Sequence, residues 1–128
     1  MKQTIIILTI LIFVLFGCAT GSTIITGEVR PSIDPSEVRI YLEPPSQYET
    51  IGIVEASSDV EFSRQSAQDR VINELKNRAA KIGANGILLI NTGSQSGDMV
   101  GFFSGGMFYA GTSEKIIGQA RAIFVINE

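Results

Sequence analysis

Histidine and tryptophan are absent from this 128-residue chain, cysteine occurs once, and the charged side chains comprise 10 basic and 13 acidic groups. That inventory excludes much familiar chemistry. Without an imidazole there is no histidine-assisted serine or cysteine triad, and a single thiol forms neither an intramolecular disulfide nor a Cys/His metal site. A serine–lysine pair would need a Ser-x-x-Lys arrangement, which does not occur. Carboxylates remain as general acids and bases, and a glycosidase-like pair needs two of them about 5 to 9.5 Å apart. No spacing selects such a pair. Asp34 and Glu37 suit a turn and the approach to a strand, while Asp59, Glu61 and Asp69 suit a helix start. Asp98 lacks the alternating acidic neighbours of a calcium loop. Gly83-Ala84-Asn85-Gly86 follows a helical pattern instead of preceding one, the wrong end for cradling an anion. The expectation is a non-enzyme with no metal and no cofactor, and a carboxylate-based hydrolase ranks last. A formal net charge of −3 without a long basic run gives no footprint for nucleic acid.

The group whose position does suggest chemistry is the thiol of Cys18. Ahead of it, Ile5 to Phe16 is a twelve-residue run in which Thr9 alone is not apolar, preceded by the weakly positive start Met1-Lys2-Gln3-Thr4. Spanning a bilayer takes about 20 apolar residues, whereas a secretory leader needs roughly 7 to 15. The run therefore reads as a signal peptide over residues 1–17. It closes on Leu15-Phe16-Gly17-Cys18, which resembles the lipobox of bacterial lipoproteins. That resemblance implies cleavage before Cys18, a thioether-linked diacylglycerol (palmitate is the usual label) and an acyl chain on the new amine. Two or more chains anchor a protein stably where one is marginal. Ala19, and not aspartate, follows the cysteine, which in Gram-negative lipoproteins implies export to the outer membrane with the domain facing the periplasm. Residues 18–23 are then a lipidated tether and 24–128 a single domain.

The elements that must position any further site are legible from patterning. All four prolines lie between Pro31 and Pro45 and bracket the alternating run Val38 to Leu42, which predicts an edge strand. Thr23 to Arg30, rich in β-branched residues, suits either a first strand or a tether. Glu49 to Ser57 reads as a strand, with Gly52 where a close backbone approach or a bulge is expected. Ser58 and Glu61 stand at capping-box spacing and open a helical pattern that runs to Gly83. Ala67, Val71, Leu75, Ala79 and Ile82 form its apolar face, Arg64, Gln68, Arg70, Asn73, Glu74 and Asn77 mostly its wet one. Lys76, Arg78 and Lys81 complement the dipole near its end, and Gly83 suits a left-handed cap.

Ile87 to Ile90 is then a continuous apolar run, the mark of a strand covered on both faces. Strand, helix and strand make a right-handed βαβ unit that sets 49–57 parallel to 86–92. Ile116 to Ile126 closes the sheet. The fold class expected is α+β, a two-layer α/β arrangement in which a small mixed sheet with a central βαβ unit packs one main helix on one face. One helix covers one side only. The second face needs the 93–113 insertion, the amino-terminal stretch, another copy or a partner.

That insertion is itself unusual. From Gly93 to Gly111, six of nineteen residues are glycine, interleaved with large apolar side chains. It is too short to span a membrane as a helix, and its glycines disfavour one by roughly 1 kcal/mol each relative to alanine. A hairpin or lid follows. It either folds back over the sheet as ordinary core or presents Phe102, Phe103, Met107, Phe108 and Tyr109 as an interface for an envelope protein, an oligomer mate or lipid.

Tyr48 to Val54, the helix end Arg78-Ala79-Ala80-Lys81-Ile82-Gly83-Ala84-Asn85-Gly86 with the apolar strand after it, and Gly118 to Val125 resemble a group of small bacterial envelope domains, the RcsF-like, YbjQ-like and DUF4156-type proteins. The resemblance implies a compact domain working through protein contacts or self-association. RcsF-like domains are braced by disulfides, for which this chain has no cysteine beyond Cys18, so a stress-sensor role is not implied. The functional expectation is a lipid-anchored, non-catalytic interaction or envelope-maintenance module. The alternative is a self-associating structural module whose sheets pack between copies.

Overall fold

A computed structural model describes residues 1–2, 19–104 and 107–128, and within 96–113 it is the backbone that is described. Cys18 and the leader run lie outside the described residues. Among the described residues, five strands and one long helix follow in the order β1 (Thr20–Ile25), a 3-10 turn (Pro35–Glu37), β2 (Arg39–Tyr41), β3 (Gln47–Asp59), α1 (Arg64–Lys81), β4 (Gly86–Ser104) and β5 (Met107–Asn127). The strands form one sheet in the order β1-β3-β5-β4-β2. β5 lies between β3 and β4 and is antiparallel to both, β1 is antiparallel to β3, and β2 is parallel to β4. The chain is thus an α+β fold with a mixed sheet, and β3–α1–β4 is a βαβ unit with β5 inserted between its two parallel strands.

Helix and sheet meet through the face the sequence predicts. Ala67, Val71, Leu75 and Ala79 are buried against Val54, Ala56, Ile87, Ala120 and Ala122. Gly118 lets α1 approach, since a Cβ there would stand 2.6 Å from Val71 Cγ1 and 3.1 Å from Leu75 Cδ1. At Gly52 a Cβ would run into the Ile24 carbonyl, and the β3–β5 register shifts between Thr50 and Gly52, so the expected close approach and bulge are both present. The helix ends in a Schellman cap. Gly83 has φ +79°, its N–H donates to the Ala80 carbonyl at 3.1 Å, and Ala84 N–H donates to that of Ala79 at 3.0 Å. The extended stretch around Pro31 docks here too, with Arg30 N–H on the Ile82 carbonyl (3.1 Å) and Ile33 N–H on that of Ala80 (3.0 Å). The Arg30 guanidinium lies 3.8 Å over the Phe124 ring and bonds Glu49 at 2.8 Å, which ties this stretch to the sheet.

Several expectations are corrected. The helix starts at Arg64 under an Ser63 cap, whose hydroxyl accepts from Ser66 N–H at 3.1 Å, and not at a Ser58–Glu61 capping box. Ser58 and Asp59 instead extend β3, where they pair with Ile116 and Lys115, so ladder bonds outweigh a local cap. No acidic residue occupies the first turn as a consequence. Arg70 does not face water freely: its Nε donates to the buried Ser58 hydroxyl at 2.8 Å and its Nη2 to the Asp59 carbonyl at 2.8 Å. Residues 20–23, expected as tether, belong to β1.

The second sheet face is covered over a shorter span than the apolar run 87–90 implies. Ile87 is buried on the helix side, and Leu88 is 8% exposed, but Ile90 is 50% exposed. The register shift between Leu89 and Asn91 marks where the covering ends. On that face Leu88 and Ile123 are buried outside the helix-side cluster. The Tyr41 ring lies over Gly86 beside Ile123, with Cε2 2.8 Å from the position of an added Cβ. An edge strand supplies this lining, whereas the backbone of 93–104 and 107–112 stays in the β4–β5 ladder.

Candidate functional site

The two ends of the sheet are chemically unlike. Because β2 runs parallel to β4, Arg39 and Tyr41 arrive beside the end of β5, where a cleft of about 490 Å³ is lined by Glu37, Arg39, Tyr41, Asn85 and residues 125–128. The Arg39 guanidinium pairs with the Glu128 carboxylate, which also accepts the Tyr41 hydroxyl proton at 3.0 Å. The Glu128 charge holds Arg39 above its ordinary pKa. Burial, and then the Glu128 carboxylate, pushes the Tyr41 phenol upward against a smaller opposing pull from Arg39. Asn85 closes the floor, its Nδ2 donating to the Val125 carbonyl at 3.1 Å and its Oδ1 accepting from Val125 N–H at 2.6 Å.

Two carboxylates line this cleft, yet each is engaged. Glu37 accepts from Asp34 N–H at 3.3 Å, and Glu128 serves Arg39 and Tyr41. Asp34 itself accepts from the Ser36 hydroxyl and amide at 2.7 and 2.8 Å, which holds its pKa below the usual value. Among the described residues no three His, Cys, Asp or Glu side chains cluster as metal ligands. The arrangement braces the β2 edge against the end of β5 and offers a polar, self-neutralised hollow.

Two outcomes check this geometry. In an ultraviolet titration of the three tyrosines, one phenol ionises above about 10, the ordinary value. Because its folded-state pKa is raised, the stability it contributes is complete below the unfolded pKa and is lost as pH rises through the folded one. Glu128→Gln returns that transition only partway, since burial, the larger cause, remains. Asn85→Ala strips Val125 of a donor and an acceptor in a half-buried place, for an expected loss of about 1–3 kcal/mol in urea unfolding. An unchanged midpoint would mean that water replaces both bonds.

At the opposite end, Thr20 pairs with Ser57, Ser57 with Ile117 and Ile117 with Gly93, so one row crosses β1, β3, β5 and β4. The Thr20 and Ser57 hydroxyls are 3.2 Å apart. A hollow of about 260 Å³ beside this row, on the face away from α1, is lined by Glu55, Asn91, Gly93, Ser94, Gln95, Ile117 and Gln119. Past Asp59, the last residue of β3 to pair, β4 and β5 continue as a two-stranded ribbon, with Met99 opposite Thr112 and Ser104 opposite Met107. The five residues singled out as an interface lie on it, Phe102 opposite Tyr109, Phe103 opposite Phe108, and Met107 opposite Ser104 in the last described pair.

No family model matches this chain, and no curated protein does. Among solved structures, the crystal structure of the Francisella virulence factor FvfA in the orthorhombic form is similar at 26% identity, covering 80% of this chain and 97% of that one with a TM-score of 0.48. At that score the fold reading rests on the strand pairings above.

Sequence reasoning did not find the Arg39–Tyr41–Glu128 cluster or the Asn85 clamp. Arg39 and Tyr41 do alternate on one face of a short strand, which is a signal for a shared site. Their partner stands 89 and 87 residues further on, and no pattern announces it.

Proposed function

We propose that the chain is a lipid-anchored envelope lipoprotein, acylated at Cys18 and held on the periplasmic side of the outer membrane, which acts by binding and not by catalysis. The observation that carries this reading is the apolar run closing on Leu15-Phe16-Gly17-Cys18, with a folded domain beginning two residues later at Thr20. The mutual pairing of the cleft's ionic groups supports a non-catalytic role, because it leaves Glu128 bound to a cation and a phenol. The likeness of residues 48–54 and 78–86 to RcsF-like and YbjQ-like domains supports an envelope address. No described helix is long and apolar enough to cross a membrane.

A self-associating module is the second reading, and the outer edge of β1 favours it. That strand has no partner on its far side among the described residues, and Ile24 and Ile25 on it are 60% and 55% exposed. Crosslinking in intact cells from positions 102, 103 and 108, with the captured species identified, tests the binding role. Mass measurement of the acyl-free domain with and without residues 97–111 separates the readings, since a monomer in both forms removes self-association.

A further inference from the structure

The aromatic ribbon and the start of the domain leave the sheet at the same end. Thr20 shares its row with Gly93 and Ile117, three strand spacings or about 14 Å across the sheet, and the ribbon continues outward from there. We propose that this ribbon is a second membrane contact, seated in the headgroup–acyl boundary of the bilayer that carries the Cys18 lipid. The inference rests on the anchor reading of Cys18 for its geometry.

Three observations select lipid over other occupants. The first is reach. Cys18 stands at most about 7 Å from Thr20 along the chain, whereas the ribbon extends about 26 Å from Ser96 to Ser104 at roughly 3.3 Å per residue. A bilayer holding an acyl group on Cys18 comes closer to the domain than the outermost described pair, Ser104 with Met107, does, so the ribbon lies along or into its surface. The second is composition. No charged residue occurs from Met99 to Ser113, and Asp98 and Glu114 bracket that stretch. The register places Phe103 opposite Phe108 and Phe102 opposite Tyr109 in adjacent rows, so aromatic positions fall on both faces of the ribbon. A channel strand alternates apolar with polar residues, and this one does not. The third sets the depth. Beyond Val60, whose N–H donates to the Glu114 carbonyl at 2.8 Å, the outer edges of the ribbon pair with nothing among the described residues. Such edges need water and are excluded from the hydrocarbon centre. Aromatic side chains are favoured at the interface, where the backbone stays hydrated.

The absence of tryptophan provides a clean probe. The acylated full chain carrying Phe103→Trp or Phe108→Trp is reconstituted in phosphatidylethanolamine–phosphatidylglycerol vesicles, with and without lipids brominated near the headgroup end of their acyl chains. Palmitate label is read on the same preparation. Ile126→Trp, 59% exposed at the far end of β5, is the control. The expected result is blue-shifted emission that bromine quenches for the two ribbon chains and water-like, unquenched emission for the control. Water-like emission from the ribbon chains, with the palmitate-labelled protein on the vesicles, overturns the proposal. So does blue-shifted but unquenched emission that grows with protein density, which would seat the ribbon on a second copy. A chain without palmitate that is still quenched sustains the ribbon contact and overturns the anchor. A chain with neither signal overturns both.

Discussion

On the proposed lipoprotein reading, Cys18→Ser is expected to abolish incorporation of labelled palmitate and to leave the leader on the chain, as read by label and by the mass of the product. The cause is chemical. A serine hydroxyl is not the thiolate nucleophile that a thioether requires, and on that reading removal of residues 1–17 would follow the acylation. The loss is large because each buried methylene contributes about 0.8 kcal/mol, and two or more chains convert marginal binding into a stable anchor. Label retained by the serine variant, or absent from the parent, would show that the apolar run serves another purpose. With β1 starting at Thr20, a domain held this way sits against the bilayer without a flexible spacer.

Leu75→Ala is the most damaging single change expected in the folded domain. Leu75 is 0% exposed, sits mid-helix and lies across Gly118 of the central strand. Truncation leaves a cavity between α1 and β5 and is expected to cost about 2–5 kcal/mol, a large share of the roughly 5–15 kcal/mol available to a domain. Urea unfolding should show a lower midpoint at an unchanged slope. Gly118→Ala alone overpacks the same contact, since the new methyl stands 2.6 Å from Val71 Cγ1, and is expected to cost about 1–3 kcal/mol. Combined, the two changes should lose less than their sum, because the methyl group grows into space that Leu75 vacates. Strict additivity would mean that the overpacking falls on Val71 alone.

The parts of the fold that could be read in advance are those fixed by short-range rules. Prolines 31, 35, 44 and 45 delimit β2 as an edge strand because proline lacks a ladder donor. The three- and four-residue spacing of Ala67, Val71, Leu75 and Ala79 identifies the buried helical face, and Gly83 identifies its end. The helix start misleads because Ser58 and Asp59 satisfy a capping rule and a strand-pairing opportunity together, and pairing with Ile116 and Lys115 prevails. Ile90 misleads for a related reason: an apolar run implies dryness on both sides, but the register shift after Leu89 places it at the limit of the covering.

Local pattern thus determined the signal-like run, the lone thiol at its end, the helix face, the identities of β2 to β5 and the parallel sense of β3 and β4. Tertiary structure decided that β5 lies between those two strands, that Arg39, Tyr41 and Glu128 share one cleft, and that Thr20 and the aromatic ribbon leave the sheet at the same end. The difference is one of range. Backbone propensities and caps act over a turn or two, whereas ladder partners are chosen across tens of residues by what buries and pairs best once the whole sheet has closed.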